Sequence, residues 1–398
     1  MVILADKSVC TGCAACKAVC SCHAISMRAD KEGFLYPQID ASKCVGCRMC
    51  MKSCPSLAQA EPRKPIGVYA AVAKDDDLRC ASSSGGMFSL LSNEVLSRGG
   101  VVFGAAFDHS DWHVYHRVAE KEEELFELRG SKYVQSDIGE CYNEVKDFLK
   151  SGRHVLFTGT PCQIAALKRV LDADRATPTD KLLLVDVVCH AVPSPLAWKK
   201  YLEKRIASVY TDRVGGLRDI RRISFRSKDF GWKKFAMSLE FSNDKTYLAV
   251  FNDDPFMRGF LSELYNRPSC HNCPCKSLKS GSDLSIADYW GVATQLPDMD
   301  DDKGTSLVMV NTEKGANAFV ALGDKINAKE SEFDHTVACN SAIIKPTKPH
   351  RNRGRFFRYV VNSDFDSLVN RMLRPALRSR IRVIVGRILR KFGIPRCH

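Results

Sequence analysis

Two cysteine runs dominate the start of the chain: Cys10-x2-Cys13-x2-Cys16-x3-Cys20 and Cys44-x2-Cys47-x2-Cys50-x3-Cys54. Nine of the eighteen cysteines lie in the first 54 residues, in a spacing that points to metal. A pair of zinc sites or a disulfide knot is the bland alternative. Zinc sites pair two C-x2-C arms, whereas each run here places three cysteines two apart and a fourth three residues on. The spacing therefore predicts iron and inorganic sulfur, and it excludes a simple binding module.

Each run resembles the one by which bacterial ferredoxins hold 4Fe–4S cubanes. In that arrangement the first three thiolates of a run grip one cluster from a short loop. The fourth crosses to the other cluster. The expected sets are Cys10, Cys13, Cys16 and Cys54 for one cluster, and Cys44, Cys47, Cys50 and Cys20 for the other. Gly12 and Gly46 suit tight turns that aim backbone N–H groups at sulfur. Pro55 follows the second run as expected, Ser21 stands in the matching place of the first, and Cys22 is a surplus thiol.

Charge is distributed unevenly. Lys and Arg number 59 against 46 Asp and Glu, a net of +13. Residues 341–398 hold fifteen basic side chains and only Asp364 and Asp366, so the remaining 340 residues sum to zero. The basic character belongs to a tail, and no nucleic-acid partner is expected from it. The opening MVILAD lacks the basic stretch of a secretory signal, and no apolar run reaches the ~18 residues of a membrane span. Thiolate-rich motifs suit a reducing compartment, so a cytoplasmic location is expected. Leu368–Phe392 mixes apolar residues with arginine at helical spacing, interrupted by Pro375 and Gly386. Such a segment suits peripheral contact with anionic lipid at the inner membrane surface. An ordinary docked helix is the competing and slightly favoured expectation.

Between these ends the pattern predicts an α+β or α/β chain: a two-cluster ferredoxin-like domain over 1–60, a mixed-sheet α/β body over 66–340 and a basic, partly helical tail over 341–398. Glu61–Pro65 reads as a linker. Strands are expected at Val68–Ala73, Val101–Phe107, Val155–Phe157 and Leu182–Val188. Helices are expected at Met87–Ser97, Cys162–Leu171 and Pro195–Ile206. Residues 217–251 look antiparallel, with strands at Ile223–Arg226 and Phe235–Phe241.

Neither G-x-G-x-x-G nor G-x-x-x-x-G-K-[ST] occurs, which removes the usual dinucleotide and NTP fingerprints. Ser82-Ser83-Ser84-Gly85-Gly86, just before a helix, is a candidate anion cradle or simply a cap and turn. Arg129-Gly-Ser-Lys-Tyr-Val-Gln135 offers Lys132 and Tyr133 to a cofactor. Thr158-Gly-Thr-Pro-Cys-Gln163 places Cys162 at a helix N-terminus as a ligand or a nucleophile. Val188-Cys189-His190 ends an apolar strand, and Cys270-His-Asn-Cys273-Pro-Cys275 has chelating spacing. These segments suggest a third 4Fe–4S cluster on Cys162, Cys189, Cys270 and Cys273, with Cys275 as substitute for Cys162; spacing leaves that choice open. Tyr289 and Trp290 suit a cofactor ring or an aromatic core pair. His109, His113 and His116 are placed on one strand but not on one face, against a metal site. Asp298–Asp302 reads as a solvated loop, because position twelve counted from Asp298 is Met309 where a calcium loop needs glutamate.

In their order along residues 1–310 these motifs resemble the family of the coenzyme F420 hydrogenase/dehydrogenase beta subunit. The resemblance implies an iron–sulfur flavoprotein oxidoreductase with FAD beside a body cluster. Its flavin-contacting segments match Ser83, Ser84, Gly85 and Gly86, and Ser131, Lys132 and Tyr133. Electrons would pass between a ferredoxin-like donor or acceptor and a small redox substrate, a deazaflavin in part of the family. Lys132 would stabilise charge on the reduced flavin. Members with the ferredoxin-first layout are similar to proteins of surface polysaccharide synthesis. Ala191 and Ala287 depart from the family pattern, which leaves the substrate pocket unread. The rival classes are a non-catalytic electron-transfer subunit, and an enzyme with Cys162 as nucleophile beside a zinc site.

Overall fold

The computed structural model describes residues 2–375. Its centre is an eight-stranded mixed sheet built from β3 (Gly67–Ala73), β4 (Val101–Phe107), β5 (Val114–Ala119), β6 (Val155–Gly159), β7 (Leu182–Val187), β11 (Leu284–Asp288), β12 (Ser306–Val310) and β13 (Ile326–Glu330). The spatial order is β13-β3-β12-β11-β7-β6-β4-β5. Strands β4, β6, β7 and β11 pair in parallel, and the outer pairings are antiparallel. The parallel strands are continuous apolar runs because helices cover both faces. Phe103, Val155, Leu156 and Phe157 are fully buried.

One face packs under the helices Cys141–Lys150 and Pro161–Ala173, and the N-terminal module joins the same cluster through Ala14 and Ala15. The other face packs under Met87–Ser97 and, through Phe319, under Glu313–Val320. The N-terminal module is a hairpin of β1 (Ile25–Ala29) and β2 (Leu35–Ile39) with the two cysteine loops. A separate antiparallel sheet, β8 (Ile220–Ser227), β9 (Ala236–Phe241) and β10 (Thr246–Val250), packs with Pro195–Val209 and Pro255–Leu261 around an aromatic core that includes Trp198, Phe225 and Phe256.

Helix and strand expectations for the body agree with these elements to within a few residues. Strand β10 pairs with β9 although its sequence did not single it out, since its burial is only partial. One expectation needs correction. His116 lies on β5, but His109 and His113 lie in the turn before it. The Asp298–Asp302 segment is the expected solvent-facing loop, and it is tied down by ion pairs and hydrogen bonds. Asp301 pairs with buried Arg79 at 2.6 Å, Asp300 with Lys233, and Asp302 accepts the Lys233 N–H at 2.9 Å.

The segment from 341 is folded onto the body as far as it is described. The helices Arg353–Tyr359 and Phe365–Leu373 bury Phe356, Phe365, Leu368, Val369 and Met372 in the aromatic core. Their apolar face is therefore spent on protein. The remainder of the proposed amphipathic stretch lies outside the described residues. No described helix is long and apolar enough to cross a membrane.

Candidate functional site

The two cysteine loops share one local geometry. Gly12 and Gly46 have φ of 69° and 71°. Ala14 and Arg48 follow in the left-handed region, ahead of the short helices Ala15–Ala18 and Met49–Lys52. Turns of this hand direct successive N–H groups into a concavity suited to an anion, and the Gly12 N–H meets the Cys10 sulfur. Cys10, Cys13, Cys16 and Cys54 line one cavity. Cys20, Cys44, Cys47 and Cys50 line another, with Cys22 as a fifth thiol. The last cysteine of each run thus lines the cavity of the other run.

The two cavities differ in what surrounds them. At the outer one Cys47 is exposed, Val45 is 72% exposed, and a Cβ on Gly46 would meet nothing within 4 Å. At the inner one a Cβ on Gly12 would lie 2.7 Å from Arg267 Nη1. Burial, followed by the Cys162 and Cys54 thiolates, pushes Cys13 up to about 12. Burial and then Cys13, Cys10 and Cys54 raise Cys16 further. Thiols crowded in this way ionise only when positive charge stands among them, as iron would.

The body cysteines converge beside the inner cavity. Strands β6 and β7 are parallel neighbours, and their carboxyl ends deliver Cys162 and Cys189 to one edge of the sheet. Thr160 caps the helix Pro161–Ala173, with Gln163 reaching back to its N–H at 2.9 Å, and Pro161 opens the first turn. Cys162 is thereby fixed in that turn, its Sγ 3.2 Å from Thr160 Oγ1. Cys270 and Cys273 flank the end of a 3-10 turn, Pro268–Asn272, and the Val192 N–H reaches Cys270 Sγ at 3.4 Å. Lys276 Nζ holds the Cys189 carbonyl at 2.6 Å.

Burial raises Cys189 well above the usual thiol value, with Cys270, Cys162 and Cys273 adding repulsion. Burial and then Cys273 and Cys270 push Cys162 up to about 12. Cys275 is 4% exposed and neighbours Cys162, Cys273 and Cys13. Among the described residues no three cysteine sulfurs lie within 4.8 Å of one another. Zinc, with Zn–S near 2.3 Å, would draw four sulfurs to about 3.8 Å. A donor set made of thiols suits an iron–sulfur core.

The serine-glycine loop and the Gly-Ser-Lys-Tyr turn also meet. Ser83 Oγ accepts from the Ser131 N–H at 2.9 Å. Ser84 Oγ donates to the Thr305 carbonyl, and Gly85 is wedged so closely that a Cβ would sit 2.4 Å from the Ala71 carbonyl. Gly86, with φ of 93°, opens the helix Met87–Ser97. Lys132 Nζ donates to the carbonyls of Leu128, Arg129 and Gly130 at 3.3, 2.9 and 3.3 Å, closing the helix Leu125–Leu128. Burial lowers its pKa to about 7. Its donors are thus occupied by the turn it belongs to. Tyr133 packs on Phe225 and Phe260.

Two side chains here, Lys228 and Arg226, carried no sequence signal. Lys228 Nζ bonds the carbonyls of Arg79, Ser84 and Lys303 and so clamps the serine loop. Arg226, 5% exposed, pairs with Asp288 at 2.9 Å and lies 3.8 Å from the Phe235 ring centroid. Trp290 stacks on Trp232 (5.2 Å, 6°), whereas Tyr289 is buried and bonds Ser331. Cys80 and Cys339 are exposed, and buried Cys141 donates to the His116 carbonyl.

A ferredoxin-type head joined to a mixed α/β body defines an iron–sulfur protein of the redox class. The family model for a 4Fe-4S dicluster domain matches residues 9–58. Those for the coenzyme F420 hydrogenase/dehydrogenase beta subunit match residues 68–141 with the N-terminal part and 152–335 with the C-terminal part. The chain belongs to this family, which is an oxidoreductase family. It is 22% identical over 340 residues to a subunit of the F420H2 dehydrogenase of Methanosarcina mazei, covering 82% of this chain and 85% of that one. A chain from the F420-reducing [NiFe] hydrogenase complex of Methanosarcina barkeri aligns with 70% of this chain and 89% of its own, at a TM-score of 0.49 and 17% identity.

Proposed function

We propose that this chain is an iron–sulfur flavoprotein oxidoreductase with three 4Fe–4S clusters and FAD. The clusters carry single electrons, and the flavin supplies the exchange between one- and two-electron chemistry. Cys10, Cys13, Cys16 and Cys54 hold the inner cluster, and Cys20, Cys44, Cys47 and Cys50 the outer one. Cys162, Cys189, Cys270 and Cys273 hold the body cluster. Cys162 is preferred over Cys275 because it stands with Cys270 and Cys273 among the thiols that chiefly raise Cys189. Ser83, Ser84, Gly85, Gly86, Ser131 and Tyr133 form the flavin cradle, and Lys132 positions the turn that brings Ser131 to Ser83.

The observation that carries this reading is the packing of the first cysteine loop, through Ala14 and Ala15, against the helix that carries Cys162, which joins the N-terminal module to the body. The exposed face around Val45 and Cys47 is where a ferredoxin-like donor or acceptor meets the chain. A deazaflavin-like or other small molecule is the second redox partner, and work beside surface polysaccharide synthesis fits the ferredoxin-first layout. Anaerobically purified protein should carry roughly twelve irons and one releasable flavin. About eight irons and no flavin would remove the body site from the proposal.

A second reading, a non-catalytic electron-transfer subunit, is favoured by one observation: the Methanosarcina mazei relative is one subunit of a dehydrogenase. Stopped-flow reduction of the bound flavin, followed by turnover with a small acceptor in the isolated chain, separates the two.

A further inference from the structure

Arg267 is completely buried. Its Nε donates to the Cys10 carbonyl at 2.9 Å, Nη1 to Gln135 Oε1 at 2.6 Å and Nη2 to the Leu35 carbonyl at 2.8 Å. The guanidinium lies 4.3 Å from the Tyr36 ring centroid and 5.3 Å from that of Phe34. All three acceptors are neutral. Buried Arg79, Arg205 and Arg226 each have a carboxylate, on Asp301, Asp366 and Asp288. A buried cation without a counter-charge is unfavourable, so its location calls for an anion.

The position of Arg267 ties it to both ligand sets: its guanidinium sits on the Cys10 carbonyl and against Gly12 of the N-terminal module, and its own carbonyl accepts the N–H of Cys270, three residues on in the body, at 3.0 Å. Gly12 leaves the room that the guanidinium occupies, and the matching place beside Gly46 in the outer loop is open. A cubane bound by four thiolates is a net anion, and it gains one further negative charge on reduction. Resting on the cluster assignments above, we propose that Arg267 is the shared counter-ion of the inner and body clusters. It raises both potentials together and so keeps one-electron transfer between them matched, the electron lost by one being gained by the other.

The sign follows from charge. A nearby cation favours the more negative, reduced cluster and so raises its midpoint potential. Redox titrations followed by paramagnetic resonance would measure each cluster in the full chain, with the outer one identified by its loss in Cys47→Ser. Arg267→Gln should move the inner and body potentials downward and leave the outer one in place. Arg267→Lys should return them toward the wild-type values. Gln135→Glu, close in shape, sets a carboxylate on the guanidinium and should lower the same two potentials, which keeps the test open if Arg267→Gln does not load. Unchanged inner and body potentials in the variants that load, or an equal shift of all three clusters, would overturn the counter-ion role. A wild-type chain with fewer than three clusters would instead defeat the assignments on which it rests.

Discussion

Ser83 Oγ accepts the Ser131 backbone N–H at 2.9 Å, and the two hydroxyls lie 3.3 Å apart. This contact joins a serine loop and a glycine turn that lie 48 residues apart. Neither segment is held by itself. Lys228 ties the first to the Arg79 and Lys303 carbonyls, and Lys132 ties down the second.

Lys228→Met should therefore loosen the cradle without touching the clusters. Losing hydrogen bonds from a charged donor should weaken flavin binding roughly tenfold. Ultrafiltration with flavin fluorescence, alongside iron analysis, checks this. Loss of iron together with flavin would show that Lys228 holds the whole edge of the sheet.

Single cysteine changes should remove clusters one at a time. Cys47→Ser should lower iron by about four atoms per chain, and Cys162→Ser by a similar number. Cys275→Ser should keep a full complement. Retention of body iron in Cys162→Ser together with its loss in Cys275→Ser would exchange the two assignments.

Gly12 and Gly46 share a left-handed backbone but not an environment. Gly46→Ala should cost only the conformational penalty, about 1–2 kcal/mol. Gly12→Ala adds a collision with Arg267 and should lower the midpoint of thermal unfolding more. Equal midpoints for the two variants would mean that the guanidinium yields freely.

His116 supplies a pH dependence. Burial lowers its pKa from 6.5 to about 4, while its ring bonds Ser136 Oγ at 2.6 Å and the Thr158 carbonyl at 3.0 Å. The unfolded chain then binds the extra proton first as pH falls. The stability this neutral ring contributes is complete above about pH 6.5 and is lost progressively toward pH 4, up to about 3 kcal/mol. Urea unfolding at pH 5 and pH 7 should show a smaller difference in His116→Gln than in wild type.

Much of the chemistry was legible along the chain because ligand loops are local objects. C-x2-C-x2-C with a glycine between the first two cysteines needs only a few residues to form its turn, and Gly12 and Gly46 adopt it. The Met87–Ser97 helix and the β4 strand were legible for the same reason, since period and punctuation act over short range. Asp298–Asp302 was legible as a solvated loop, but not its ion pairs, because Arg79 and Lys233 stand far away in sequence. The 341–375 segment left two expectations open, a lipid-facing basic helix and the slightly favoured docked one, because its arginines are conspicuous while its core partners are distant. Phe356, Phe365 and Leu368 nevertheless settle it on the body.

The sequence by itself determined that thiolates gather around iron in the first sixty residues, because spacing alone sets the reach of a ligand loop. It also carried the family membership through short motifs in a set order. Folding in three dimensions settles which cysteine cavity faces the body and which faces solvent, that the Cys162 helix packs on the first cysteine loop, and that Arg267 stands between the two. Those relations depend on distances across space between segments that share no local pattern, and electrostatic interaction follows such distances rather than positions along a chain.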